Sequence, residues 1–167
     1  MGVVYWITGL SGAGKTTIGR LFYEKLHESK SNVVFLDGDV LREVFGNDLG
    51  HSLADRKKSG MRNAKLCKLL SDQGIDVVCA TISMFHDCHK WNRENITNYK
   101  EIYIKVPFEI LQQRDQKGLY SGALSKDACN VMGIDLQFEE PCSPDITILN
   151  DGKLSPEIIL QQIINKI

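Results

Sequence analysis

Residues 9–16 read Gly9-Leu10-Ser11-Gly12-Ala13-Gly14-Lys15-Thr16, and the rest of the chain can be read outward from them. The stretch fits the spacing G-x-x-x-x-G-K-[ST]. It follows an apolar run, Val3-Val4-Tyr5-Trp6-Ile7-Thr8, and precedes a helical pattern in which Ile18, Leu21, Phe22 and Leu26 recur three and four apart. Glycines there let consecutive backbone N–H groups converge on phosphate oxygens, and the helix that follows adds its positive end. Gly9, Ser11, Gly12, Ala13, Gly14, Lys15, Thr16 and Thr17 are therefore expected to cradle a nucleoside triphosphate, with Lys15 reaching the terminal phosphates and the Thr16 hydroxyl ligating Mg²⁺. A chance glycine-rich turn is the alternative, and the register of strand, motif and helix argues against it.

The same strand-then-helix order repeats along the chain. Residues 32–36, 75–82, 101–106 and 145–149 are further apolar runs. Between them, Ser52 with Asp55 three residues on opens a helix carrying Leu66, Leu69 and Leu70, which Gly74 ends. Pro107 precedes a short helix through Arg114, and Ser155-Pro156-Glu157 opens a closing helix with Ile158, Ile159, Leu160, Ile163 and Ile164. Continuous apolar strands alternating with amphipathic helices predict an α/β fold with a parallel sheet covered on both faces. Residues 116–144 break the pattern, and their length and Gly, Ser, Asp and Pro content predict a mobile flap over a site.

The chain has 167 residues, 43% of them hydrophobic and 25% charged, with a formal net charge of -1. These values predict one domain over 1–167 and disfavour disorder. No apolar run reaches the length of a membrane span, and the start of the chain lacks the basic and small-residue segments of a signal peptide. Cys67, Cys79, Cys88, Cys129 and Cys142 are odd in number and form no CxxC pair, so a reducing cytoplasm is the expected compartment. Near-neutral charge offers no global field for nucleic acid, so an anionic partner needs a local site.

Asp37-Gly38-Asp39, with Arg42 one turn on, follows the second apolar run. In a parallel sheet, loops at the carboxyl ends of strands border the ligand crevice. One aspartate could accept a proton from a substrate hydroxyl and the other hold Mg²⁺ through water. An aspartate-rich turn followed by a helix cap is the plainer reading, against which Arg42 suits a second anionic substrate.

These features resemble the adenylylsulfate kinases, a family of P-loop nucleotide kinases. The resemblance runs through residues 9–16, Leu36-Asp37-Gly38-Asp39, Asp48-Leu49-Gly50, Ala54-Asp55-Arg56, Ile82-Ser83, Arg114-Asp115, Lys117-Gly118-Leu119-Tyr120, Gly133-Ile134-Asp135 and Glu140-Pro141. It implies a P-loop NTPase fold with strand order 2-3-1-4-5, a lid over 116–144, MgATP as donor, and phosphorylation of the 3′-hydroxyl of an acceptor nucleotide. By position, Asp39 would be the general base and Lys117 would sit among the phosphates. Arg42, Arg56 and Ser83 would hold the acceptor, with Asp37, His51, Ser59, Ile82 and Val131 beside it, and Arg114 would lie near the ATP base. Thr16 and Asp37 form the implied metal site. No nucleic-acid or membrane partner is implied, and a homodimer is one assembly open to the chain.

The acceptor side departs from the family pattern. The two stretches that supply stacking phenylalanines in the family, Gly-Phe-Ser and Phe-Thr-Gly-Ile, are here Gly50-His51-Ser52 and Val131-Met132-Gly133-Ile134. Ser59, Met61, Met84 and His86 replace the family's asparagine, arginine, proline and arginine, and Ser121-Gly122-Ala123 replaces a basic run. Stacking is worth about 1–3 kcal/mol per base, so adenine binding should weaken tenfold or more. An adenylylsulfate acceptor is the family expectation. A cytidine nucleotide is the alternative, since cytidine diphosphoramidate kinase of bacterial capsule synthesis shares this fold group; an ATP-binding regulatory paralogue is a third reading.

The remaining polar clusters have plainer readings. His86-Asp87-Cys88-His89 fits no usual zinc spacing and is expected to be surface loop, continued by Trp91, Asn92 and Arg93. Lys57-Lys58 reads as a solvated helix face, Arg93 as a solvated residue or a phosphate contact, and His51 as a base-stacking ring or a turn cap.

Overall fold

The computed structural model describes residues 1–115, 118–125 and 129–167. Its centre is β1 (Val4–Thr8), buried along its whole length. Side chains alternate across it, with Tyr5 and Ile7 entering one apolar cluster and Val4 and Trp6 another, so burial on both faces makes the run continuously apolar. β2 (Val33–Asp37), β3 (Asp76–Ala80), β4 (Tyr99–Lys105) and β5 (Ile146–Leu149) complete a sheet of order β2-β3-β1-β4-β5. All four pairings are parallel, and Trp6 lies between Cys79 on one side and Glu101 on the other. The expected α/β architecture and strand order are observed.

The helices are α1 (Lys15–His27), α2 (Gly38–Val44), α3 (Leu53–Asp72), α4 (His86–Asn95), α5 (Phe108–Arg114), α6 (Leu119–Leu124) and α7 (Pro156–Ile164). α1 and α7 bury Ile18, Phe22, Ile159 and Ile163 on one face of the sheet, while α3 and α4 bury Ala64, Cys67 and Cys88 on the other. Ser52 and Ser155 cap α3 and α7, accepting the N–H groups of Asp55 at 3.2 Å and Ile158 at 3.4 Å. Each such cap contributes about 1 kcal/mol. No helix among the described residues is long and apolar enough to cross a membrane, and all five cysteines are free thiols.

Three expectations need correction. Leu69 is 57% exposed, and the sheet-facing residues of α3 include Asn63, Ala64, Cys67 and Ser71, because the helix buries small and polar side chains that carry no apolar periodicity. Residues 86–93 are not surface loop but lie on α4, which buries Cys88, His89 and Asn92; a helix whose buried face is polar gives no apolar stripe to read. The described part of 116–144 is not irregular throughout. It contains α6, a bridge between Met132 and Leu136, and the buried side chains of Tyr120, Val131 and Met132. The turn-and-helix-cap reading at Asp37-Gly38-Asp39 is observed, with Asp37 capping the seven-residue α2.

Candidate active site

Because every strand runs the same way, the segments after β1, β2, β3 and β5 emerge on one rim of the sheet. The loop after β1 turns through Gly12 and Gly14, with φ of 79° and 92°, a left-handed conformation that strains a residue with a Cβ. A Cβ at position 14 would also approach Asn150 Nδ2 to 3.1 Å. Gly14 caps α1, so the unpaired N–H groups of that helix's first turn face the loop. The Lys15 ammonium donates to the Leu10 carbonyl at 2.7 Å.

Side chains from three other elements hold the loop by its carbonyls. Asn150, which follows β5, donates from Nδ2 to Ala13 at 2.9 Å. Arg114, at the end of α5, donates to Gly12 at 3.1 Å and to the Asn150 carbonyl at 3.2 Å. The Tyr120 hydroxyl, on α6, donates to Ser11 at 2.7 Å. Peptide planarity then turns the N–H groups of Gly12 and Gly14 away from those partners, which is the orientation a phosphate needs. Beside this brace, Gly12, Gly14, Thr17, Ile18, Arg114, Asn150 and Pro156 border a cleft of about 390 Å³.

Asp37 joins two parts of the rim. One carboxylate oxygen accepts the Asp39 N–H at 2.9 Å and caps α2, and the other accepts the Thr16 hydroxyl at 2.6 Å. Two hard oxygen donors thus meet at the start of α1, a donor set that fits Mg²⁺. Asp39 is exposed in the first turn of α2.

A positive cluster lies beyond the aspartates. Arg42 donates to the carbonyls of Leu49 at 2.6 Å and Gly50 at 3.1 Å, which folds the α2–α3 connection back over α2. Arg56 donates to the carbonyls of His51 at 3.1 Å and Asn130 at 2.7 Å, tying α3 to the segment after α6. Burial and then the charge of Arg42 push the Arg56 pKa below the ordinary arginine value. Partial burial, Arg42 and Arg56, opposed by Asp39 and Asp55, lower the His51 imidazole pKa from the ordinary histidine value, which favours the neutral ring at pH 7. Both arginines donate to neutral carbonyls, with the Asp135 and Asp39 carboxylates near enough to act on Arg56.

The remaining expected residues occupy different settings. Ser59 is half-buried on α3. Ile82 is half-buried and its carbonyl accepts the Thr8 hydroxyl. Ser83 is buried with φ of 23°, its hydroxyl 2.8 Å from that of Thr81. Val131 is 5% exposed and packs with Leu111 and Tyr120, so its side chain enters a satellite cluster of the core and not the open rim. Lys117 lies outside the described residues. Sequence reading gave no role to Asn150, nor to Tyr120 and Asp135 within their motifs; the Asp135 carboxylate accepts the N–H groups of Asn130 and Val131 at 2.5 Å each. Asn150 had a legible signal in its place at the carboxyl end of a strand, and Tyr120 and Asp135 lie in stretches that carry the resemblance.

The adenylylsulphate kinase family model matches residues 1–149. The chain is 44% identical to a cytidine diphosphoramidate kinase of Campylobacter jejuni, over 98% of this chain and 95% of that protein. It is 39% identical to an adenylyl-sulfate kinase of Halothermothrix orenii, over 93% and 84%. The fold matches the Mycobacterium tuberculosis APS kinase determined with AMPPNP and APS, at a TM-score of 0.89 and 31% identity over 99% and 96% of the two chains. The sheet order agrees with these matches, and the chain belongs to the adenylylsulphate kinase family of ATP-dependent phosphotransferases.

Proposed function

We propose that the chain transfers the γ-phosphate of ATP to the 3′-hydroxyl of a cytidine nucleotide of the diphosphoramidate type. One observation carries this reading. Asp39 and the Arg42–Arg56 cluster, suited to a hydroxyl and a diphosphate-like anion, sit with a neutral His51 where the family offers a stacking phenylalanine. The 44% identity to a cytidine diphosphoramidate kinase supports it.

In this mechanism the loop N–H groups and Lys15 bind the donor phosphates, and Arg114 and Asn150 keep the loop in shape beside the base cleft. Thr16 and Asp37 would hold Mg²⁺, which when bound neutralises charge on the phosphates. Asp39 aligns the acceptor hydroxyl and takes its proton as the oxygen attacks the γ-phosphorus. Arg42 and Arg56 hold the acceptor diphosphate, with Lys117 joining the phosphates. Ser83, with Ser59 and Ile82, borders the nucleoside. His51 meets the smaller base with a neutral ring.

Incubation with MgATP and cytidine diphosphoramidate, read by chromatography and mass spectrometry, should give ADP and a 3′-phosphorylated nucleotide in equal amounts. Adenylylsulfate should show a kcat/KM at least about tenfold lower, the loss expected from missing ring contacts. Faster turnover of adenylylsulfate would assign the acceptor named by the family. Absence of acceptor-dependent ADP release with both would overturn the kinase reading in favour of an ATP-binding regulatory protein.

A further inference from the structure

A buried polar chain lies behind the rim, and the transfer steps above do not use it. His89 on α4 is 5% exposed and Glu101 on β4 is 1% exposed. His89 Nε2 lies 2.9 Å from the Ser83 carbonyl, which also accepts the Phe85 N–H at 3.0 Å. A carbonyl oxygen only accepts, so Nε2 carries a proton and acts as donor. The other ring nitrogen, Nδ1, has no hydrogen-bond partner and lies 3.5 Å from Glu101 Oε1. Glu101 Oε2 accepts the Tyr99 hydroxyl at 3.1 Å and lies 3.4 Å from the Arg93 guanidinium, which also reaches Asp145 at 3.3 Å. The imidazole is thus held by the carbonyl it bonds, with the Glu101 carboxylate behind it.

The loop it holds is strained. The non-glycine residues with positive φ among those described are Asn47, Asp115, Asn130 and Ser83. Asparagine and aspartate tolerate that region through local hydrogen bonds, and serine does so less readily. The Ser83 side chain is hemmed in further by Gly60, where an added Cβ would lie 2.9 Å from its hydroxyl oxygen. An unusual backbone conformation persists only where its surroundings impose it. The Thr81 hydroxyl, the Phe85 N–H and the His89 imidazole are the groups that impose it here.

We propose that His89 is a positioning residue for the acceptor, holding the Ser83 carbonyl by its Nε2–H and so keeping the turn at residues 81–85 in the shape the nucleotide meets. The proposal rests on the assignment of Ser83 to the acceptor side. His89 does not bond to the phosphate loop, so its effect falls on acceptor binding and spares the donor. Burial, opposed by the nearby Glu101 carboxylate, lowers the His89 pKa, in keeping with a neutral donor tautomer.

Steady-state kinetics with cytidine diphosphoramidate test this. His89→Leu should raise the acceptor KM tenfold or more with the ATP KM within twofold, and His89→Gln, whose amide can donate to the same carbonyl, should return it to within threefold of wild type. An unchanged acceptor KM in His89→Leu, equal losses for ATP and acceptor, or no recovery in His89→Gln would overturn the role. Should His89→Leu fail to fold, long-range ¹H–¹⁵N spectra of the wild-type protein decide. A protonated Nε2 whose ring signals move on adding acceptor but not on adding ADP supports the role; an Nδ1–H tautomer, or no response to acceptor, overturns it. Wild type without acceptor-dependent turnover would remove the functional reading and this one together, whereas active wild type with unaffected variants would remove this one alone.

Discussion

The donor and acceptor halves of the rim are built on different principles. On the proposed donor side, backbone would do the binding, and side chains such as Arg114, Asn150 and Tyr120 act from outside by holding carbonyls of Ser11, Gly12 and Ala13. On the acceptor side, Arg42, His51, Arg56 and Ser83 come from α2, the α2–α3 connection, α3 and the β3–α4 turn. A backbone cradle depends on local φ and ψ and tolerates little change, whereas a pocket of side chains can be altered one residue at a time. The matches fit this contrast, since chains named for two different acceptors are both similar to this one over more than nine-tenths of its length.

Three substitutions test that contrast. The largest effect is expected at the junction of the halves: Asp39→Asn should lower kcat by about a hundredfold to ten-thousandfold, with ATP affinity by calorimetry within twofold. Loss of ATP affinity in step with kcat would make Asp39 part of the donor site. Next, Arg114→Ala leaves the Gly12 and Asn150 carbonyls without their donor, at a cost of about 1–2 kcal/mol. The ATP KM should rise about tenfold and the acceptor KM should not move; a matching rise in acceptor KM would show that the halves are mechanically coupled. The smallest effect belongs to His51→Phe, which restores one stacking ring and should move the kcat/KM ratio of adenylylsulfate to cytidine acceptor several-fold toward adenylylsulfate. No movement in the ratio would take His51 out of base selection.

Legibility followed the same division. Residues 9–16 and the continuous apolar strands were readable because each meaning is local: a glycine turn between strand and helix, and a strand buried on both faces. Helix α4 was unreadable because two of its buried residues, His89 and Asn92, are polar and answer to Ser83, Glu101 and Tyr99 outside the helix, which leaves no apolar periodicity to read. Val131 matched a family position by sequence, yet its side chain turns into the cluster with Leu111 and Tyr120.

By itself the sequence determined the α/β class, the phosphate loop and the aspartate pair, because nearest-neighbour backbone chemistry and burial periodicity dictate them. Only the tertiary structure decided that one carboxylate of Asp37 serves both α2 and Thr16, that burial and then Arg42 and Arg56 lower the His51 pKa, and that a buried imidazole stands behind Ser83. Those properties depend on distances between elements and on the desolvation those distances impose, and neither exists until the sheet and its helices have packed.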